Sequence, residues 1–172
     1  WLCLGWLLID LCGSNGLGLQ GRQAEEIFAR GSVAVALLGD QPPLSRIYSP
    51  SYSLPQQTAA RSGIELADGV DPLQLSAYVE FMRPASGVMV SGYSVTLPAF
   101  LNGDPGVDNR EAVPDARLLG LLNVTAVAAE FPLEVDGLEE IGRSGETILY
   151  RNTYALPRAW VQTRNANPLS AQ

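Results

Sequence analysis

Residues 1–13, WLCLGWLLIDLCG, constrain this chain more than any other stretch. Asp10 is the single charge among the first twelve, and the rest are apolar or Gly. Thirteen helical residues span roughly 20 Å, short of the ~30 Å hydrocarbon core of a bilayer. The segment therefore fits either the end of a transmembrane helix or a buried element of a water-facing core. Trp1 and Trp6 favour the membrane, since indole rings sit at headgroup depth, and Asp10 then falls at the water edge. A signal peptide fits poorly, because no basic region precedes the apolar run. The chain begins with Trp, so it reads as a piece of something longer. Cys3 and Cys12 would lie about 13 Å apart on one helix, too far for a disulfide, and are expected as free thiols.

Beyond this stretch, composition excludes several function classes. The 172 residues are 47% hydrophobic and 17% charged, enough apolar material for one core and unlike a disordered chain. The net charge is −7 and the pI about 4.5, which argues against a nucleic-acid surface. There is no His, so His-dependent nucleophilic catalysis and His-ligated metals are excluded. Two Cys cannot build a Cys-rich zinc site. No metal or cofactor is expected.

Gly16, Gly18 and Gly21 form a G-x-G-x-x-G match. A dinucleotide site needs a tight turn, bare backbone at the pyrophosphate, a following helix and a downstream acid, here Asp40. Gly13, Ser14 and Asn15 intrude before the first glycine, and Ser32–Gly39 reads as well as a helix as a strand. The alternative is a Gly-rich linker over 14–22. The dinucleotide fold is the runner-up for this chain, as a fragment of a nucleotide-binding enzyme.

The spacing of apolar and breaker residues predicts helices over Gln23–Arg30, Ser32–Gly39, Pro55–Ser62, Pro72–Met82 (with Asp71 as N-cap) and Asp115–Leu122. It predicts strands over Ser45–Ser49, Ser91–Thr96, Val124–Ala129, Leu133–Val135, Ile148–Tyr150 and Ala159–Thr163. Residues 84–112 read as a long loop rich in Pro, Gly, Ser and Asn. Helices and short strands mix without repeats. That predicts an α+β (mixed α/β) domain over 23–163, with a small sheet of four to five strands packed with helices, and a tail over 164–172.

Several side chains invite a chemical role. Glu65, Asp68 and Asp71 could act as paired carboxylates or hold a cation, although a turn acid and a helix cap explain Asp68 and Asp71 better. Asp104, Asp108 and Glu111 lie in a loose acidic loop that misses the EF-hand spacing. Arg158, beside Trp160, could grip a phosphate or a sugar carboxylate, or simply pair with one of the excess acids. Arg46 and Arg151 carry the same two possibilities. Asn123-Val-Thr fits a glycosylation acceptor, but Asn123 is better placed as a helix C-terminal residue.

The order of local phrases resembles the extracytoplasmic region of YfhO-type bacterial multi-pass membrane proteins, which are grouped with polytopic glycosyltransferases using lipid-linked sugars. The phrases are LLIDL at 7–11, SRIYSP at 45–50, LPQQTAARSGIELADGVDPLQLSAYVEFM at 54–82, LLGLLNVTAVAAE at 118–130, and ILYRN with ALPRAWV at 148–161. Val70 and Thr125-Ala126 depart from the family's usual aromatic and Lys-Tyr. The resemblance implies a domain on the outer face of the cell membrane, attached to transmembrane segments outside this sequence. It would carry no catalytic residue itself and would position a carbohydrate or lipid-linked substrate, while the parent protein could be a glycosyltransferase. Low-specificity ligand or interface candidates on this domain are Asp68, Asp71, Arg158 and Trp160. A purely structural domain without ligand fits the same features.

Overall fold

A computed structural model describes residues 3–6, 10, 23–39, 42, 44–88, 96–98 and 100–161. Gly16, Gly18, Gly21, Asp40 and Cys12 lie outside the described residues, as do the 14–22 linker, the tail and nearly all of the strand expected at Ser91–Thr96. Residues 3–6 and Asp10 have helical backbone, and Cys3 is a free, exposed thiol. Among the described residues, no helix is long and apolar enough to cross a membrane.

The fold is a mixed five-stranded sheet with helices on both faces. In chain order it runs α1 (Ala24–Ala29), α2 (Ser32–Leu38), β1 (Arg46–Tyr48), α3 (Gln56–Arg61), β2 (Glu65–Leu66), α4 (Ser76–Ser86), α5 (Pro105–Asp108), α6 (Ala116–Leu121), β3 (Val124–Ala129), β4 (Leu138–Ser144) and β5 (Thr147–Asn152). The strand order is β2-β1-β3-β5-β4. β1 runs parallel to both β2 and β3, while β5 is antiparallel to β3 and β4. The α+β expectation holds.

Side-chain alternation explains the layers. On one face Tyr48, Val127, Ala129, Ile148 and Tyr150 pack with Met82 and Ala85 of α4 and Leu119 of α6. On the other, Ile47, Ala126, Ala128 and Leu149 pack with Ala34 and Leu38 of α2 and Ala59 of α3. β3 is the central strand and is covered on both sides, so its sequence VTAVAA is nearly continuous in apolar residues. The β1–β3 register slips between Arg46 and Ile47, which pair with Val124 and Ala126. The extra residue, Thr125, puts Val124 on the same face as Val127 and Ala129, as a β-bulge does.

Several expectations need correction. The helix expected at Pro72–Met82 begins later, at Ser76, and runs on to Ser86. Asp71 does not cap it. Its carboxylate accepts from Leu73 N (2.8 Å), its carbonyl from Gln74 N (3.1 Å), and this closes a separate turn. Pro84 sits in the last turn, and Gly87, at φ 67°, ends the helix in the left-handed conformation. A side chain at Gly87 would meet the Val113 backbone at 2.3 Å. Leu133–Val135 is not a strand. The partner of β5 is instead Leu138–Ser144, whose LEEIGRS leaves its charges exposed on a sheet edge. Gly145 (φ 58°) and Glu146 form the two-residue turn between them, with Gly where a hairpin turn needs positive φ. β2 and α5 were not foreseen, and the described part of Ala159–Thr163 is not a strand.

Buried polar side chains tie the layers together. Asn152 Nδ2 donates to the carbonyls of Ala116 and Val124 (both 2.9 Å), joining β5, α6 and β3. Its Oδ1 accepts from Tyr154 N. Asn123, at φ 61°, follows α6 and donates from Nδ2 to Leu156 O (2.7 Å), so it is a buried helix-end residue and not an exposed acceptor for a glycan. Truncating Asn152 strands two buried carbonyls and one N–H. Asn152→Ala is therefore expected to lower the stability measured by urea unfolding by about 2–4 kcal/mol. Glu139→Ala, on exposed β4, is expected to change it by no more than about 0.5 kcal/mol.

Candidate functional site

Parallel strands bring their carboxyl ends to one edge of a sheet, where open α/β sheets gather their ligand contacts. Here that edge carries Ser49–Ser53 after β1, Ala67 and Asp68 after β2, and Glu130 after β3. The β4–β5 turn reaches the same edge, because β5 runs antiparallel to β3.

The turn after β1 is built from buried serines. Ser49 Oγ and Ser53 Oγ are 2.9 Å apart, Ser53 Oγ donates to Ala128 O (3.1 Å), and Ser51 Oγ accepts from Glu130 N (3.1 Å). Tyr52 takes φ 55° at the tip, where its ring meets Phe100 edge-on at 5.3 Å and lies under the Arg30 guanidinium. These hydroxyls fix β1 to β3. They are hydrogen-bonded to the main chain or to each other, so they are structural groups and not nucleophiles.

Beside this turn lies a cleft of about 280 Å³. Glu130, Phe131 and Pro132 form one wall, Asp104, Gly106 and Arg110 of the α5 region a second, and Arg143, Glu146 and Ile148 of the hairpin a third. Asp104 accepts from Gly106 N (2.9 Å) and caps α5. Gly106 leaves room for Glu130, since a Cβ there would stand 2.8 Å from Glu130 Oε2. Burial raises the Glu130 pKa; Arg30 opposes the rise, and the charges of Asp104 and Glu146 add to it. Arg143 is held in a two-point pair with Glu140 (3.0 and 2.9 Å). Both signs of charge thus line one cleft, with Phe131 and Ile148 buried behind it.

Asp68 lies further along the same edge, buried, with neither carboxylate oxygen hydrogen-bonded to a partner. Burial pushes its pKa up to about 7, opposed only in part by its own backbone N–H. The next residue, Gly69, is tied to Thr96 Oγ1, which also accepts from Gln74 Nε2 (3.1 Å). Gln74 Oε1 is likewise buried without a hydrogen-bond partner.

The structure separates the sequence candidates. Glu65 and Asp68 sit at opposite ends of β2, so they do not form a carboxylate pair, and Asp71 is exposed in its own turn. At the amino ends, Glu65 accepts a short hydrogen bond from Arg158 and lies 3.8 Å from Arg46. Arg158 also donates to Leu44 O (3.1 Å), so it clamps the chain after β5 onto the sheet. The hydrogen bond from Arg158 to Glu65 lowers that carboxyl's pKa. Trp160 is 49% exposed beyond that clamp. Asp104 and Asp108 take different partners, Asp108 accepting from Asn102 N and Nδ2 (2.8 and 2.7 Å). No group of acids, Cys or His able to hold a metal occurs among the described residues. Ser32–Leu38 is a helix, so the strand that a dinucleotide layout would need there is missing.

Sequence reasoning passed over Glu130, Arg110, Glu146 and Gln74. Glu130 did carry a signal, as an acid directly after the one continuous apolar strand. No protein-family model matches the chain, and no curated protein or solved structure matches it either.

The Asp68 environment gives the fold an unusual pH dependence. The unfolded chain releases this proton near the ordinary 3.8, while the folded chain holds it to about 7. Between those values the folded state binds more protons, so stability falls as pH rises, by up to the order of 4 kcal/mol. Glu130 acts in the same sense. The lowered carboxyls Glu65, Asp108 and Glu140 act below this window, with stability lost as pH falls through their folded values. Urea unfolding is expected to give a higher midpoint at pH 5 than at pH 8. In Asp68→Asn most of that difference should vanish; a wild-type midpoint that rises from pH 5 to 8 would contradict the assignment.

Proposed function

We propose that this chain is a non-catalytic extracytoplasmic domain of a polytopic, glycosyltransferase-like membrane protein, and that it positions a carbohydrate or a lipid-linked sugar. The observation that carries the proposal is the cleft at the carboxyl end of β3, where Glu130, Asp104, Glu146 and Arg110 stand beside the exposed apolar side chains of Val107 and Pro132. Sugars offer hydroxyl donors and acceptors on the edges of an apolar ring face. Carboxylates accept from the hydroxyls, a guanidinium donates to ring or carboxylate oxygens, and Val107 and Pro132 offer apolar surface to the C–H face. A volume of about 280 Å³ suits one sugar unit and not an extended chain.

The resemblance of 5–163 to YfhO-type proteins supports the membrane context, as does the apolar composition of residues 1–13. The absence of His and the committed serines leave no base-activated nucleophile on this edge. The domain's part is then binding and placement, with any chemistry carried by membrane segments outside this sequence.

Isothermal titration of the 172-residue chain with a panel of neutral, amino and uronic mono- and disaccharides tests the proposal. At least one sugar is expected to bind with a millimolar or tighter Kd. Glu130→Gln and Arg110→Ala are each expected to weaken it about tenfold, worth about 1.4 kcal/mol. Absence of binding across the panel, or unchanged affinity in both variants, overturns it.

A further inference from the structure

We propose that Asp68 is the trigger of a proton-controlled latch on α4, shut while the carboxyl is neutral and released when it ionises. The latch is independent of what the Glu130 cleft binds. It rests on how two tyrosines and one unpartnered carboxyl are arranged.

Tyr48, from β1, is fully buried and donates its hydroxyl to Ser86 O (3.0 Å) at the last residue of α4. Tyr78, in the first turn of α4, donates its hydroxyl to Ala67 O, immediately after β2. Each end of α4 is thus tied to the sheet by one phenol. Asp68 is next to Ala67; burial raises the pKa of both phenols, and the Asp68 charge adds to each rise. From β1, Arg46 acts on Tyr78 in the opposite sense. The environment of Asp68 itself is set by burial and, in the opposite sense, by its own backbone N–H.

A neutral carboxyl tolerates this site, because it carries no full charge into the core. A carboxylate does not, since neither oxygen has a donor. It can be stabilised in two ways. A tyrosine hydroxyl can turn from its carbonyl to the carboxylate, which forms a stronger charge-assisted bond and abandons one tie of α4. Alternatively, water can enter between α4 and the end of β2, which opens the same seam. In both cases the Asp68 O–H bond breaks, its proton goes to solvent water, no other covalent bond changes, and α4 loses hold of the sheet. The turn ahead of α4 carries Leu73 and Leu75, already 88% and 74% exposed, so a loosened α4 would move an apolar tip. Thr96, bonded to Gly69 and Gln74, would lose its anchorage in the same event.

Hydrogen exchange of α4, followed by mass spectrometry on the full 172-residue chain, tests this. Exchange is compared at pH 5.5 and 8.5 after correction for the intrinsic rate, alongside a ¹³C NMR titration of the Asp68 carboxyl. The α4 opening population is expected to rise at least tenfold between the two pH values, with its midpoint at the Asp68 titration. Asp68→Asn is expected to change less than twofold over the same range. Constant α4 protection in the wild type, an Asp68 titration near its ordinary 3.8, or an undiminished pH response in Asp68→Asn overturns the latch. Should Asp68→Asn fail to fold, coincidence of the two wild-type midpoints supports the latch and their separation overturns it.

Discussion

The burial of β3 on both faces is the constraint from which the rest of the structure follows. A strand without a wet face has no polar side-chain positions to spare, so VTAVAA is apolar throughout its buried length. The groups that define its surroundings therefore reach it through its main chain. Ser53 from the β1 turn takes Ala128 O, and Asn152 from β5 takes Val124 O. Each of these side chains is itself buried, so each bond is expensive to lose. The two neighbours, one parallel and one antiparallel, are thereby fixed in register by hydrogen bonds that water does not compete for.

This arrangement also decides where a ligand can be met. Around the central strand, which is covered on both faces, the polar side chains concentrate at the two ends, while the outer strand β4 carries its own charges in solvent. The amino end is closed by ion pairing: Arg158 and Arg46 converge on Glu65, and the chain after β5 is strapped across. Two guanidiniums share one carboxylate there, and each is also held by a main-chain carbonyl, Leu122 O or Leu44 O. The carboxyl end is different. Its acids, Asp68 and Glu130, both bind their protons more tightly than usual because they are desolvated without a direct cationic partner. Carboxyl groups held this way are where binding or proton exchange has the most to gain.

The sequence made the layers legible and the site largely illegible, for physical reasons. The helices Ser32–Leu38, Gln56–Arg61 and Ala116–Leu121 and the strands Arg46–Tyr48 and Val124–Ala129 follow from local apolar spacing and from caps such as Asp115. β4 escaped because an edge strand exposed to water is charged and lacks the alternation that marks a half-buried strand. The onset of α4 shifted because Gln74 is held by Thr96, a contact 22 residues away that no local pattern encodes. Asp68 is visible in the sequence as an acid near a turn, but its burial comes only with the tertiary fold. Arg158 reads from the sequence as either a ligand or an ion-pair residue, and only the fold brings Glu65 to it.

The central claim is that recognition belongs to the carboxyl end of the sheet. NMR shift mapping of a saturating saccharide probe on the ¹⁵N-labelled chain tests it most directly. The account predicts perturbations concentrated at 104–110, 130–132 and 143–148, with the amides around Arg46, Glu65 and Arg158 unmoved. Perturbations centred on the Arg46–Glu65–Arg158 end, with the Glu130 cleft silent, would contradict it.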